Sequence, residues 1–326
     1  MNRQQLRGRF APSPSGQMHL GNAWTALWAW LQIRQAGGTM VLRIEDLDPE
    51  RSRAQFRDMI MADLRWLGLD WDEGPDCGGP YGPYEQSRRR GLYDQALAKL
   101  KSRGLVYPCF CTRADIRAVC QAPHEGENRE MEYPGTCRYL TVEERAFRLA
   151  QGQRASLRCQ APERPVVFVD SHYGLKSCDP PQDLDDFIVQ RSDGVHAYQL
   201  AVVVDDALMG ITHVLRGADL ITSTYRQIVL YNAIGWPVPQ FAHVPLLNGP
   251  DGYRLSKRHG DVTLQSLRAK GVHPENIVGV LAYWAGVIPV PEPVRPSELI
   301  SRFDLHKLPL EPIIVDYQSL TRGVSP

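Results

Sequence analysis

Residues 9–22 read Arg9-Phe10-Ala11-Pro12-Ser13-Pro14-Ser15-Gly16-Gln17-Met18-His19-Leu20-Gly21-Asn22. A short apolar run precedes this Pro/Gly turn, and after it apolar residues recur at helical spacing: Leu20, Ala23, Trp24, Leu27, Trp28 and Leu31. The order predicts a strand, a turn and a helix N-terminus. Unpaired N–H groups and the helix dipole make such a terminus an anion site. His19 and Gly21 would let a nucleotide lie against it; a capped surface turn is the alternative.

A second β-rich run, residues 39–44, ends at the acid Glu45. Strand, helix and strand in this order predict a right-handed parallel βαβ unit. Ligands of such sheets bind at the carboxyl ends of the strands, where Arg9 and Glu45 would both lie. An ordinary strand-end or helix-capping acid is the alternative for Glu45.

The same alternation returns later, with strands predicted at 211–215 and 241–247 around a helix at 225–233. Before it, residues 187–191 and 196–200 flank a Ser-Asp-Gly turn, which predicts a β-hairpin. The whole pattern predicts an α/β protein with a Rossmann-like, doubly wound parallel sheet.

Composition narrows the class of protein. The chain has 326 residues, enough for about two domains, and Lys+Arg and Asp+Glu each number 37. Proteins wrapped in nucleic acid are usually more basic, so any such contact should be local. The polar N-terminus, the odd number of cysteines and the shortness of the apolar runs predict a soluble, cytoplasmic protein without a membrane segment.

A possible metal site follows residue 105. Cys109 and Cys111 stand two residues apart, and Cys137 follows a polar loop. Thiolates at this spacing can face one ion, and a returning loop can supply the remaining ligands of a tetrahedral zinc site. Buried free cysteines are the alternative. The fourth ligand is left open, the candidates being Tyr133, Cys120 and His124.

A basic loop is predicted after a glycine-bearing turn, with the sequence Arg254-Leu255-Ser256-Lys257-Arg258. A lysine on such a loop can move onto phosphates and leave after reaction. A solvated surface loop is the alternative.

Taken together, these segments resemble the glutamate-specific class I aminoacyl-tRNA synthetases. The first stretch is similar to their HIGH region, and the basic loop is similar to their KMSKS loop. Two further segments resemble the family's substrate side. The four occur in the family's order: residues 9–22, 198–206, 216–219 and 254–258. The resemblance spans residues 7–264 and implies a class I catalytic domain.

Two positions depart from the family pattern. Asn22 stands in place of the second histidine of the HIGH motif, and Arg254 in place of the first lysine of the loop. Neither change removes His19 or Lys257, so activation of an amino acid is still expected.

The resemblance implies binding of L-glutamate, which carries two carboxylates and one ammonium. Two arginines can each fork onto a carboxylate, and an acid can take the ammonium. Which arginine binds which carboxylate is left open. The implied glutamate-binding residues are Arg9, Ala11, Ser13, Glu45, Tyr198 and Arg216.

The implied first reaction is attack of the glutamate α-carboxylate on the α-phosphorus of ATP, which gives glutamyl-adenylate and pyrophosphate. Catalysis then depends on positioning and on stabilising phosphoryl charge, with Mg²⁺ on the phosphates. The resemblance assigns the catalytic roles to His19 and Lys257. The implied ATP-binding residues are His19, Gly21, Asn22, Leu255, Ser256 and Lys257.

The residues after Lys257 are too few for the helical anticodon-binding domain of discriminating glutamyl-tRNA synthetases. The chain therefore resembles the shorter glutamyl-queuosine tRNA(Asp) synthetases, which attach glutamate to the queuosine base in the anticodon of tRNA(Asp). That family's Zn²⁺ ligands correspond to Cys109, Cys111, Tyr133 and Cys137. The alternatives are a minimal synthetase that charges a tRNA 3′ end and a non-catalytic RNA-binding relative. A monomer is expected.

Four segments are predicted along the chain. Residues 1–104 would form the first half of the catalytic domain, and residues 105–186 an inserted, zinc-bearing acceptor-type subdomain. Residues 187–262 would complete the catalytic domain with the KMSKS-like loop. Residues 263–326 would form a short helical extension without an anticodon-binding domain.

Overall fold

The computed structural model describes residues 5–112, 114–116, 133–253 and 263–315. No helix in these ranges is both long enough and apolar enough to cross a bilayer. The strands are β1 (Arg7–Phe10), β2 (Thr39–Leu42), β3 (Val106–Cys109), β4 (Ser156–Cys159), β5 (Val166–Asp170), β6 (Gly174–Cys178), β7 (Phe187–Gln190), β8 (His213–Gly217), β9 (Gln240–Val244), β10 (Leu247–Asn248) and β11 (Ile313–Ile314). The helices are α1 (Leu20–Gln35), α2 (Ala54–Trp66), α3 (Arg90–Ser102), α4 (Val142–Ala150), α5 (Tyr198–Leu208), α6 (Ile221–Ile234), α7 (Leu264–Ala269), α8 (Pro274–Trp284) and α9 (Pro296–Leu299).

A four-stranded parallel sheet organises the fold, in the order β2-β1-β8-β9. Helix α1 is the crossover between β1 and β2, which confirms the predicted βαβ unit. The strands β8 and β9 return to the sheet with α6 between them, as the second alternating segment predicts. The predicted α/β class with a parallel sheet is therefore confirmed.

Helices cover both faces of this sheet. Met40 and Leu42 pack into the core on the side of α1 and α8, whereas Val41 between them packs into the core on the side of α3, α5 and α6. On β8, Leu215 and Val214 divide in the same way. Successive residues of a strand point to opposite faces, so strands buried on both sides read as continuous apolar runs.

Two antiparallel units lie between the halves of the parallel sheet in the sequence. Strands β3, β4 and β7 form a three-stranded sheet, and β5 pairs with β6 as a two-stranded hairpin. The sequence analysis predicts that β7 belongs to the second half of the catalytic domain. Because it pairs with β4, the three-stranded sheet contains strands from both sides of the division predicted at residue 187.

The hairpin predicted at 187–200 is wrong in its second arm. Only an isolated bridge joins Gln190 to His196, and the chain then enters α5 at Tyr198 with Ala197 as the N-cap residue. Short apolar runs do not distinguish a buried strand from a buried helix by periodicity. Residues 200–206 are all buried in this helix, a pattern that a strand buried on both faces would share.

The segment after residue 263 joins the core beside α1. The Phe303 ring stacks on Trp28 with ring centroids 5.9 Å apart, and the Gln35 side-chain amide donates to the Phe303 carbonyl at 2.7 Å. Strand β11 pairs with β10 in parallel. This segment is therefore packed against the first helix of the catalytic fold.

We expect the contact between α8 and the following segment to be sensitive to one methyl group. A Cβ at Gly279 would overlap the carbonyl oxygen of Glu292 and lie 2.9 Å from its carbonyl carbon. Overpacking of this kind costs about 1–3 kcal/mol, so Gly279→Ala should lower the free energy of unfolding by that amount in urea titrations. Gly91→Ala is the matched control, because a Cβ at this helical position meets open space. Equal stability of the two variants would contradict this packing.

Candidate active site

A cleft of about 960 Å³ opens where β1 and β8 end and α1 begins. Its walls include every described residue that the sequence assigned to glutamate or ATP: Arg9, Ala11, Ser13, His19, Gly21, Asn22, Glu45, Tyr198 and Arg216. Leu255, Ser256 and Lys257 lie outside the described residues. The structure thus brings the predicted glutamate-binding residues and the described ATP-binding residues into one cleft. The role of each residue stays a prediction.

The N-terminus of α1 forms one wall of the cleft. His19 is the N-cap residue, and its backbone N–H donates to the Asn22 side-chain oxygen at 3.2 Å. A Cβ at Gly21 would lie 3.1–3.2 Å from the His19 ring, tighter than most van der Waals contacts. Glycine therefore leaves room for the imidazole, and Asn22 caps the helix where the family motif has its second histidine.

The first described residue after the basic loop is adjacent to this helix start. Thr263 forms a β-bridge with His19, and the Leu264 N–H donates to the Met18 carbonyl at 2.9 Å. Thr263 also lines the cleft. The first described residue after the predicted phosphate-binding loop therefore lies beside His19.

A buried ion network supports the opposite wall. The Arg43 guanidinium is fully buried and donates to Asp206 at 2.6 Å and to Glu45 at 3.0 Å. Arg9 donates through Nε to the same Asp206 at 3.3 Å. Arg43 therefore determines where Glu45 stands, and Asp206 determines where Arg9 stands.

A second carboxylate extends this network below the cleft. Asp205 accepts from Arg89 at 2.6 Å, from Gln86 at 2.8 Å and from the Tyr93 hydroxyl at 2.9 Å. Its oxygen also lies 3.6 Å from Arg43 Nε. The buried guanidiniums and carboxylates are thus balanced in number, as buried charges require.

The neighbours of Glu45 stabilise its ionised form only in part. Burial raises the pKa of Glu45, and the nearby Arg43 and Arg9 oppose that shift without cancelling it. A cationic ligand group in the cleft would therefore stabilise the ionised carboxylate.

Arg216 is bound quite differently from Arg9. Its Nε donates to His243 Nε2 at 3.1 Å and its Nη2 to the Thr224 hydroxyl at 2.7 Å. Within the described ranges it has no ion pair with an acid, and its buried Nη1 has no hydrogen-bond partner. Burial lowers the pKa of Arg216. An anionic ligand would supply both an ion-pair partner for Arg216 and a hydrogen-bond acceptor for its Nη1.

Sequence reasoning missed Arg43, Asp206 and His243. One signal was available: Asp205 and Asp206 follow three valines in a helix that reads as fully apolar. Acids in such a helix are almost never buried without a cationic partner.

The predicted metal ligands form a second cluster, in the antiparallel part. The sulfur atoms of Cys109, Cys111 and Cys137 all lie within 4.8 Å of one another. The Tyr133 hydroxyl lies 3.4 Å from Cys109 Sγ, and Cys111 Sγ lies 3.6 Å from Cys137 Sγ. Cys120 and His124 are outside the described residues. Three thiols this close together, with a phenol beside one of them, supply the number of donors that a tetrahedral Zn²⁺ site takes.

Arg158 supports the same cluster. Its Nε lies 3.4 Å from Cys109 Sγ, and its guanidinium carbon lies 3.7 Å above the Tyr133 ring. Burial raises the pKa of Cys109, but the hydrogen bonds from Tyr133 and Arg158 outweigh it, so the net shift is downward. A thiol with a lowered pKa gives up its proton to a metal more readily.

Comparison with known proteins agrees with this fold. Residues 5–321 match the family described as class I tRNA synthetases (E and Q), catalytic domain. A crystal structure of a glutamate tRNA ligase from Elizabethkingia meningosepticum, in complex with its amino acid, aligns with a TM-score of 0.85 at 32% identity. The alignment covers 98% of this chain and 68% of that one. The chain therefore has the catalytic domain of the glutamate- and glutamine-type class I tRNA synthetases.

Two relatives indicate which family within this class the chain belongs to. A glutamyl-Q tRNA(Asp) synthetase of Symbiobacterium thermophilum is 58% identical over 315 residues, which are 97% of each chain. One of Nitratidesulfovibrio vulgaris is 49% identical over 317 residues, 97% of this chain and 98% of the relative. The chain belongs to the glutamyl-Q tRNA(Asp) synthetase family.

We expect the cysteine cluster to retain zinc through purification, at about one ion per chain. Cys137→Ser should lose most of that metal, because it removes one thiolate of the set. Elemental analysis of the purified protein measures it. Cys77→Ser is the matched control, since Cys77 is exposed and outside the cluster. Equal zinc content in both variants, or none in the unmodified protein, would contradict the assignment.

Proposed function

We propose that this protein activates L-glutamate with ATP in the absence of tRNA and then transfers the glutamyl group to the queuosine base in the anticodon of tRNA(Asp). The observation that carries the first half is the charge pattern of the cleft. Among the described residues Arg216 has no ion pair with an acid and its Nη1 has no hydrogen-bond partner, and burial of Glu45 outweighs its cationic neighbours. The second half rests on the relatives named glutamyl-Q tRNA(Asp) synthetase, which match nearly the whole chain.

Glutamate fits this charge pattern. Its two carboxylates would bind Arg9 and Arg216, and its ammonium would bind Glu45. Tyr198 and Ser13 also line the cleft and would add neutral hydrogen bonds, while the small Ala11 leaves space beside them. A zwitterion with one extra carboxylate is the amino-acid type that supplies each missing charge.

ATP would lie against the N-terminus of α1, beside His19, Gly21 and Asn22. Free N–H groups there favour phosphate oxygens, and the helix dipole adds to the attraction. Leu255, Ser256 and Lys257 would close over the nucleotide, and Mg²⁺ would accompany the phosphates. The α-carboxylate of glutamate attacks the α-phosphorus, the bond to the bridging oxygen breaks, and pyrophosphate leaves.

The residues act on this reaction by position and charge. No protein nucleophile is needed, because the attacking oxygen belongs to glutamate. His19 and Lys257 would stabilise the charge that develops on the phosphoryl oxygens. Removing one donor of this kind typically costs about 2.7–4 kcal/mol of barrier.

Zinc would have a structural role in the antiparallel part. Cys109, Cys111, Cys137 and Tyr133 would hold it, and they connect the end of β3 to the chain before α4. A closed set of four protein ligands leaves no open position for substrate, which is typical of structural zinc.

Arg216→Ala should raise the KM for glutamate by about 10- to 150-fold, since a hydrogen bond to a charged group contributes about 1.5–3 kcal/mol. The KM for ATP should change far less. Pyrophosphate exchange that depends on glutamate and ATP, without tRNA, measures both constants. Arg295→Ala is the matched control, because that exposed arginine pairs only with Glu298 among its described neighbours. An unchanged glutamate KM in Arg216→Ala would refute the assigned pocket.

Transfer of labelled glutamate should require queuosine but not the tRNA 3′ end. We expect label on queuosine-containing tRNA(Asp), equal label after its terminal adenosine is removed, and none on tRNA(Asp) that lacks queuosine. Label that disappears with the terminal adenosine would favour the alternative of a minimal synthetase that charges the 3′ end. Absence of glutamate-dependent exchange would favour a non-catalytic relative.

A further inference from the structure

The pocket arginine is held by a neutral imidazole. His243 lies directly opposite Arg216 in the register of β8 and β9, and it is fully buried. An arginine Nε–H can only donate, so His243 Nε2, 3.1 Å away, must accept. The proton of a neutral imidazole then stands on Nδ1, which lies 2.6 Å from Asp170 Oδ2. Asp170, His243 and Arg216 form a chain with one consistent direction of donation.

Asp170 accepts at both of its oxygens. Oδ1 receives the backbone N–H of His172 at 3.0 Å, of Tyr173 at 2.8 Å and of His243 at 3.3 Å. Oδ2 receives His243 Nδ1–H. Every described contact of this side chain comes from a donor, which fits the ionised carboxylate, since that form only accepts.

The protonation states agree with this geometry. Burial raises the pKa of Asp170, but its hydrogen bonds with His243 and the backbone outweigh it, so the net shift is downward. Burial lowers the pKa of His243 to about 4. At neutral pH an ionised Asp170 therefore faces a neutral His243.

We propose that Asp170 and His243 are positioning residues for glutamate binding: Asp170 fixes the Nδ1–H tautomer of His243, and that tautomer orients the Arg216 guanidinium in the cleft. This inference rests on the proposed function, because it assigns Arg216 to a glutamate carboxylate. The hydrogen bond of the second nitrogen commonly decides which imidazole nitrogen is protonated. Such supporting contacts typically change affinity or activity by about 10- to 100-fold.

Asp170 comes from the antiparallel β5–β6 hairpin, outside the parallel sheet. It is the last residue of β5, and the following Ser171 N–H donates to the Phe241 carbonyl of β9 at 2.9 Å. The hairpin thereby contacts β9 two residues before His243. Part of the predicted insertion therefore holds the imidazole that contacts Arg216.

Asp170→Asn tests the tautomer directly. An amide has one acceptor oxygen, and if it keeps the backbone N–H groups, its NH₂ faces His243 Nδ1. The imidazole proton then moves to Nε2, where it opposes the Arg216 Nε–H. In protein labelled with ¹⁵N-histidine, NMR should show Nδ1 protonated in the unmodified chain and Nε2 protonated in the variant. The glutamate KM should rise about 10- to 100-fold, with little change for ATP.

Two variants at His243 separate positioning from simple fastening of the hairpin. His243→Gln keeps an acceptor for Arg216 and loses the donor to Asp170, whereas His243→Asn keeps that donor and loses the acceptor. Positioning predicts the lower glutamate KM in His243→Gln. A lower KM in His243→Asn, or an Asp170→Asn variant with Nδ1 still protonated and an unchanged glutamate KM, would overturn the inference.

The NMR measurement needs no substrate, so it separates this inference from the proposed function. A wild-type protein with the expected tautomer but no glutamate-dependent exchange would refute the function. A wild-type protein that activates glutamate but carries the Nε2–H tautomer would refute the positioning role alone.

Discussion

The guanidinium of Arg43 is the interaction on which the substrate cleft depends. It is fully buried and lies between Asp206, which is on helix α5, and Glu45, which follows the edge strand β2. Removing one partner of a buried ion pair costs about 3–5 kcal/mol, because the other charge is left uncompensated. This ion network joins the end of β2 to helix α5. It also positions Arg9, whose Nε donates to the same Asp206.

Against this balanced network, Arg216 stands out as the arginine supported by neutral groups. Thr224 and His243 hold its guanidinium without neutralising it, and His243 stays neutral because burial opposes its protonation. The cleft therefore keeps a positive charge available for an anionic ligand and a partly compensated Glu45 for a cationic one. A protein that neutralised both internally would bind an amino acid less strongly, since ligand charges would displace existing partners.

Segments outside the parallel sheet also contact the cleft or the residues that support it. Residues outside the parallel sheet reach the cleft or its supports from two directions: the β5–β6 hairpin through Asp170, and the segment after the basic loop through Thr263. The Phe303 ring packs on the helix whose first turn lines the cleft. The antiparallel and C-terminal parts are thus continuous with the substrate pocket in their packing and hydrogen bonding.

The sequence by itself determined the βαβ order, the helix start at His19 and the placement of Arg9 and Glu45 at strand ends, because period, turn chemistry and chain order are local properties. Its motifs also predicted Arg216 and Tyr198 as glutamate-binding residues, and both line the cleft. Only the tertiary structure decided which charges meet: Arg43 and Asp206 are 163 residues apart, and Asp170 and His243 are 73 apart. It also began helix α5 at Tyr198, within the segment 196–200 that the sequence predicted as the second arm of a hairpin. Which side chains are buried and which charges pair depend on segments far apart in the sequence. The local spacing of residues does not predict either.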